Sequence, residues 1–336
     1  MTVPNRALVL GSGGVLGFAW LLGALAALEA EAGFDARDVR IAVGTSAGSV
    51  TAALLGCGLS ADVITRHHQG IPAPGDPTIE YDYTTGVGHG TPPRPGWRPA
   101  SPRLAWDGLR HPRRISPIVA LTGLLPPGRG SLAPVRALVD GVARATGFAD
   151  RWPDSPRPWI VAADQHTGRR VVFGRDDLPA GRVARRARLG EAVQASCSIP
   201  AWYPPTLIDD IPYVDGGAVS ICSVDVLRTA AVDEVFVLAP MASVSPDHPT
   251  ATLARLERRL RRAITRRILT DAARLRSTGK RVCVVTPNAD DLTIMGVNMM
   301  NPGRRSEVLE SARESAAVQL RRELRASAGW GRRVAG

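Results

Sequence analysis

Lysine is almost missing from this chain: Lys280 is the only one in 336 residues. The net charge of +11 is therefore carried by arginine. A basic balance suits anionic lipid or nucleic acid, and an arginine bias also follows from a GC-rich coding sequence. Aromatic residues are scarce, at 5%. No basic face is interleaved with aromatics on which bases would stack, so no nucleic-acid partner is expected. Cys57, Cys197, Cys222 and Cys283 form no Cys-x-x-Cys pair and no histidine cluster joins them. That spacing argues against a zinc site, and no metal or cofactor is expected. Buried free thiols in a reducing compartment are the plain reading, which implies a cytoplasmic protein. Internal repeats are also absent, so a solenoid is not expected.

Long hydrophobic runs are rare, and the one present is near the start. Ala7 to Leu28 carries no charge over 22 residues and follows Arg6. Such a run is long enough for a membrane span, and Ala24-Leu25-Ala26 resembles a signal-peptidase site. Its five glycines, four within residues 11–17, point instead to a strand, a loop and a buried helix. No signal peptide or transmembrane helix is therefore expected.

What is present is a set of three short motifs. Residues 44–48 read Gly-Thr-Ser-Ala-Gly after the apolar run Arg40-Ile41-Ala42-Val43, and a small-residue helix follows to Leu55. A strand feeding Gly-x-Ser-x-Gly and then a helix makes a nucleophile elbow, with the Ser46 hydroxyl exposed on a sharp turn and Gly44 and Gly48 avoiding collisions. Upstream, Ala7-Leu8-Val9-Leu10 reads as a buried strand, followed by Gly11-Ser12-Gly13-Gly14-Val15-Leu16-Gly17 and a helix from about Phe18 to Ala30. Unpaired N–H groups in such a loop hold a phosphate or the oxyanion of a tetrahedral intermediate. Downstream, Tyr213-Val214-Asp215-Gly216-Gly217 places a carboxylate at a strand end, and a serine nucleophile needs a base.

In this order the three motifs resemble the patatin-like phospholipases. The stretch Ala195-Ser196-Cys197-Ser198-Ile199-Pro200 with Pro204-Pro205, and Met295-Gly296-Val297-Asn298, extend the resemblance from about Arg6 to about Arg322. It implies a Ser–Asp dyad without histidine: Ser46 the nucleophile, Asp215 the base, Gly13 and Gly14 the oxyanion donors, with Gly17, Gly216 and Gly217 completing the motifs. The chain departs from the family pattern at Ser12, where a glycine is usual, and at Leu16, where a basic residue is usual. Ser12 still carries a backbone N–H to offer; the missing cation bears on anion binding.

Thirteen of the 27 prolines fall between Pro72 and Pro134, so the region of about 70–131 reads as a Pro/Gly-rich, lid-like insertion. One short helix is expected within Ile115 to Leu125. With Leu104, Trp106 and Leu109 it could cover a greasy pocket, meet a membrane, or simply pack as a surface loop. Helices are expected after Ser60 and over 132–145, 189–196 and 306–324; strands over 159–163, 170–173, 233–238 and 281–286. Leu253, Leu256, Leu260, Ile264 and Ile268 recur at helical spacing beside seven arginines. This helix is expected to bury that apolar stripe and solvate its arginines, with a membrane interface as the alternative. His248, the only histidine after Asp215, reads as a loop residue, His166 as part of a hairpin, and Asp209 and Asp210 as an exposed turn.

Together these readings give an α/β fold: a mostly parallel central sheet sandwiched by helices, in one domain over 6–327. The motifs lie in 6–225, and a strand-helix portion spans about 233–327. The expected function is a serine acyl hydrolase of lipid esters, with a lipid or phospholipid substrate and an anionic membrane surface as candidate partner; the sequence sets no oligomeric state. An acyltransferase using the same acyl-enzyme, a non-catalytic lipid-binding protein, and a nucleotide-binding oxidoreductase remain alternatives. The last expects Gly-x-Gly-x-x-Gly, and the third glycine is out of register here.

Overall fold

The computed structural model describes residues 4–79, 81, 99, 101–110, 117–175, 187–245 and 247–326. Parts of the insertion, including 82–98 and 111–116, lie outside the described residues, as does residue 327. The elements in chain order are β1 (Arg6–Leu10), α1 (Gly14–Ala32), β2 (Ile41–Thr45), α2 (Ala47–Gly56), α3 (Ala61–Gln69), α4 (Pro102–Arg110), α5 (Pro117–Thr122), α6 (Ala133–Ala145) and β3 (Arg157–Asp164). Then follow β4 (Arg170–Phe173), α7 (Leu189–Ser196), β5 (Thr206–Ile208), β6 (Ile211–Asp215), β7 (Glu234–Leu238), α8 (Thr252–Arg276), β8 (Arg281–Val285), α9 (Ala289–Met295) and α10 (Arg305–Ala326).

The sheet runs β5-β6-β3-β2-β1-β7-β8, with β4 hydrogen-bonded to β3. Strands β1, β2, β3, β7 and β8 are mutually parallel. β1, β2 and β7 are buried almost throughout and are rich in Val, Ile and Leu, as a sheet covered on both faces requires. One face packs on α1, α2, α6, α7 and α10, the other on the C-terminal half of α8 and on 224–228.

The register of β3 brings two strand ends together. Ile160–Ala163 pair with β4 on one edge. The other edge is shared: β2 pairs with it up to Thr45↔Val161, and antiparallel β6 takes over at Asp215↔Ala162. The C-terminal ends of β2 and β6 therefore meet head to head, at consecutive β3 residues.

The apolar helix α1 is the one described helix long and apolar enough to cross a membrane, and 72% of its most apolar window is buried in the molecule. Gly23 sits against α10; a Cβ there would lie 2.2 Å from the Leu309 carbonyl oxygen. Ser60 caps α3 by accepting from the Val63 N–H at 3.2 Å, and Asp209 and Asp210 form an exposed turn with φ of 48° and 58°. Within the Pro-rich region α5 falls where a helix is expected, and α4 adds a second around Leu104, Trp106 and Leu109.

One expectation is reversed. In the first half of α8, Leu253, Leu256 and Leu260 face solvent at 65%, 62% and 51% exposure, while Arg258 and Arg261 are buried. Further along, Ile264 packs half-buried against the core and Ile268, Ala272 and Leu275 enter it. The arginines are held inward by acceptors that periodicity does not reveal. Arg258 pairs with Asp247 at 2.6 Å and with Glu257, and donates to the Leu292 carbonyl. Arg261 pairs with Glu257 and donates to the Pro240 carbonyl at 2.7 Å. A buried guanidinium is tolerated when it is paired and its donors are filled.

Candidate active site

Ser46 follows β2 directly and has φ 54° and ψ −121°, a conformation rare for a residue with a side chain. The turn is held from two sides. Its N–H donates to the Ser196 hydroxyl at 2.9 Å, and that hydroxyl donates to the Val161 carbonyl at 2.6 Å. The Ser46 carbonyl accepts from the Ser49 hydroxyl at 2.6 Å. The flanking glycines are required by close approach: a Cβ on Gly48 would lie 2.0 Å from the Leu10 carbonyl oxygen, and one on Gly44 2.4 Å from that of Gly48.

Asp215 ends β6 and is 5% exposed. The Ser46 side chain lies close enough to it to lower its pKa. Its Oδ1 accepts the Gly217 N–H at 2.7 Å, and its own N–H donates to the Ser198 carbonyl at 2.9 Å. Burial raises its pKa to about 6, although the Ser46 side chain and the Gly217 N–H pull it down. Gly216 packs on the Val161 carbonyl. The two residues expected to form the dyad are thus adjacent, and the head-to-head strand ends explain why.

The Gly-rich loop leaves β1 beside them. Gly11 and Ser12 donate their N–H groups to the Leu238 and Ile221 carbonyls at 3.0 and 2.9 Å, and Leu16 donates to the Met299 carbonyl at 2.9 Å. Ser12 therefore has no backbone N–H to offer, contrary to the sequence reading; its hydroxyl is buried without a partner among the described residues. Gly17 closes the first helical turn onto the Gly13 carbonyl at 2.8 Å. The N–H groups of Gly13, Gly14 and Val15 have no acceptor among the described residues, and α1 begins here with its N-terminal partial positive charge. Leu16 is fully buried in the core rather than facing the loop.

Ser46, Gly14 and Val15 line one cleft with Phe18, Val50, Leu138, Tyr203 and Met300. Counted out to its open mouth, it encloses about 630 Å³. Tyr81, from the Pro-rich region, forms part of its wall. His68 also lines it; burial lowers its pKa to about 4, so it is neutral, with its ring edge-on to Phe18 at 5.4 Å. Burial pushes the Cys197 thiol up to about 12. His248 and His166 are exposed; the Asp164 carboxylate closes the hairpin by accepting from the His166 and Thr167 N–H groups.

Sequence reasoning missed the bracing residues. Ser196 lies in a stretch noted only for its resemblance. Arg261 gave no signal; it reaches Pro240 and, at 3.5 Å, the Met299 sulfur, and both residues press on the Gly13–Gly14 turn.

The family model for patatin-like phospholipase matches residues 8–228. No curated protein matches the sequence. Among solved structures, the chain is similar to the type III effector protein ExoU, at 18% identity and a TM-score of 0.43, over 95% of this chain and 53% of that one. It is also similar to VipD from Legionella pneumophila, at 13% identity and a TM-score of 0.46, over 96% and 68% of the two chains. The chain thus spans about half the length of the ExoU chain.

Proposed function

This chain belongs to the patatin-like phospholipase family, and from that premise we propose that it is a serine acyl hydrolase of lipid esters working through Ser46 and Asp215. The observation that carries the reading is the meeting of the β2 and β6 ends on β3, which sets Ser46 beside a buried carboxylate whose pKa burial raises to about 6. A carboxylate in this state is ionised at neutral pH, yet basic enough to accept a proton from serine as the nucleophile attacks.

The steps follow from the residues. Asp215 takes the Ser46 proton while Oγ attacks the acyl carbonyl. The N–H groups of Gly13 and Gly14, joined by that of Val15, receive the oxyanion at the start of α1. Asp215 returns the proton to the leaving alcohol, and an acyl-Ser46 ester remains. Water, deprotonated by Asp215, attacks that ester; collapse releases the fatty acid and restores Ser46. The acyl chain lies in the apolar cleft between α1, α2 and α6. The Pro/Gly-rich region, through Tyr81, forms part of the wall over that cleft, and the lipid is taken from an anionic membrane surface.

The test is labelling with a fluorophosphonate probe, coupled to hydrolysis of soluble and lipid esters. Wild type labels and turns over; Ser46→Ala does neither, and Asp215→Ala loses at least about 10²-fold in rate. Labelling that persists in Ser46→Ala would sink the assignment. Product analysis in the presence of an alcohol separates hydrolysis from acyl transfer.

A further inference from the structure

Helix α8 carries an apolar stripe that the described residues leave uncovered. Leu253, Leu256 and Leu260 stand at i, i+3 and i+7 and are more than half exposed. Beside them Arg259, Arg262 and Arg266 are also exposed, whereas Arg258 and Arg261 are turned inward and paired. An ordinary amphipathic helix buries its leucines and solvates its arginines. Here the outward face holds leucines flanked by guanidinium groups with no partner acid nearby on the helix, which is the composition of a helix lying in a lipid interface.

The position of the stripe fits. α8 begins beyond the C-terminal end of β7, where Arg261 donates to the Pro240 carbonyl at 2.7 Å. It runs back to the start of β8, where Arg276 donates to the Val282 carbonyl at 2.7 Å. Its leucine-bearing half is therefore at the end of the sheet where β1 and β2 deliver the Gly-rich loop and Ser46. At that end too, α4 exposes Trp106 and Leu109, at 56% and 77%, and its partner α5 contacts 216–218, directly after Asp215.

We propose that the Leu253–Leu256–Leu260 stripe of α8, with its flanking arginines, docks the protein on an anionic phospholipid bilayer, with the mouth of the catalytic cleft on the docked side. The choice of partner class rests on the lipid-hydrolase reading, but the docking is physically separable from it. Leucines entering the headgroup boundary supply apolar burial, and the arginines meet lipid phosphates; the second contribution is screened by salt.

The test is flotation of the full chain with vesicles of phosphatidylcholine alone or mixed with phosphatidylglycerol, at low and high salt. Wild type floats with the anionic vesicles at low salt. The triple change Leu253→Ser, Leu256→Ser, Leu260→Ser lowers the partition coefficient at least about tenfold, and Arg259→Glu with Arg262→Glu removes the preference for phosphatidylglycerol. Both variants keep wild-type turnover of a soluble butyrate ester. Leu256→Cys, labelled with an environment-sensitive dye, shifts to the blue on binding vesicles; the four native thiols are buried. Wild type that fails to float, a triple variant that floats unchanged, or a triple variant that turns a wild-type dimer into a monomer overturns the proposal. If Ser46→Ala floats like wild type while no form cleaves any ester, docking stands and the hydrolase reading falls; Ser46-dependent hydrolysis without flotation gives the reverse.

Discussion

Asp215 meets two demands that pull in opposite directions. Burial raises its pKa from 3.8 to about 6, which makes it a better base and a less comfortable ion. The kinetic consequence is that kcat/KM for a soluble ester rises tenfold per pH unit below about 6 and is level above it, measured as a pH profile with a substrate that does not titrate. The stability consequence has its own sign. The folded pKa lies above the unfolded value, so between about pH 4 and 6 the native state binds more protons, and stability falls as pH rises through that window. Asp215→Asn removes the ionisation. At pH 8 it is expected to be more stable than wild type by an amount on the order of 1–3 kcal/mol, with the difference vanishing near pH 4, while its rate falls at least about 10²-fold. Denaturant melts at both pH values check this. Ser196 acts beside it by tying the Ser46 N–H to Val161. Ser196→Ala leaves a buried N–H and a buried carbonyl without their partner, costing about 1–3 kcal/mol. It also loosens the elbow, so kcat drops more than KM rises.

At the scale of elements, close backbone approaches and one buried cation fix the loop and helix around the dyad. α2 crosses the end of β1 so closely that a methyl on Gly48 would fall 2.0 Å from the Leu10 carbonyl oxygen. Gly48→Ala is expected to displace the helix and abolish both soluble expression and activity, read by circular dichroism and probe labelling. Arg261 braces the opposite side, its guanidinium bound to the Pro240 carbonyl and close to the Met299 sulfur, behind the turn that holds Gly13 and Gly14. Arg261→Met leaves Glu257 with one arginine fewer and the Pro240 carbonyl bare, a loss of about 3–5 kcal/mol. At temperatures where the variant stays folded, the slackened loop lowers kcat with little change in KM; Arg261→Lys recovers part of both. A melt and a Michaelis curve suffice. This helix also marks where the sequence misleads. The period of Leu253, Leu256 and Leu260 is a correct sign of a helix and a wrong sign of its inward face. The acceptors that draw Arg258 and Arg261 inward are Asp247 and the Pro240 carbonyl, in loops, and the Leu292 carbonyl, in α9, and only the fold fixes where they stand.

At the scale of the whole molecule, legibility followed locality. Ser46, Gly44 and Gly48 are readable because an elbow is a five-residue object whose steric demands are written in its own letters. The strands were readable from short runs of Val, Ile and Leu, and the exposed Asp209-Asp210 turn from its composition. That Asp215 reaches Ser46, 169 positions earlier, was legible only through family resemblance, because it depends on β2 and β6 dividing one edge of β3 between them. Ser196 and Arg261 depend on the same assembly and carried no motif. The cleft is likewise a product of assembly. Its walls come from α1, α2, α6 and the segment after α7, and Val135 and Leu138 of α6 line it together with Ser46. Each methylene seated in such a wall contributes about 0.8 kcal/mol, a factor of about four in binding. Leu138→Trp fills part of that space without touching the dyad or the loop. The variant is expected to keep kcat/KM for a butyrate ester within about twofold of wild type and to lose at least about tenfold on a laurate ester, which needs several more seated methylenes. A series of p-nitrophenyl esters from butyrate to laurate measures the effect. A uniform fall across the series would mean that α6 supports the fold only, and that the acyl chain leaves Ser46 by another wall.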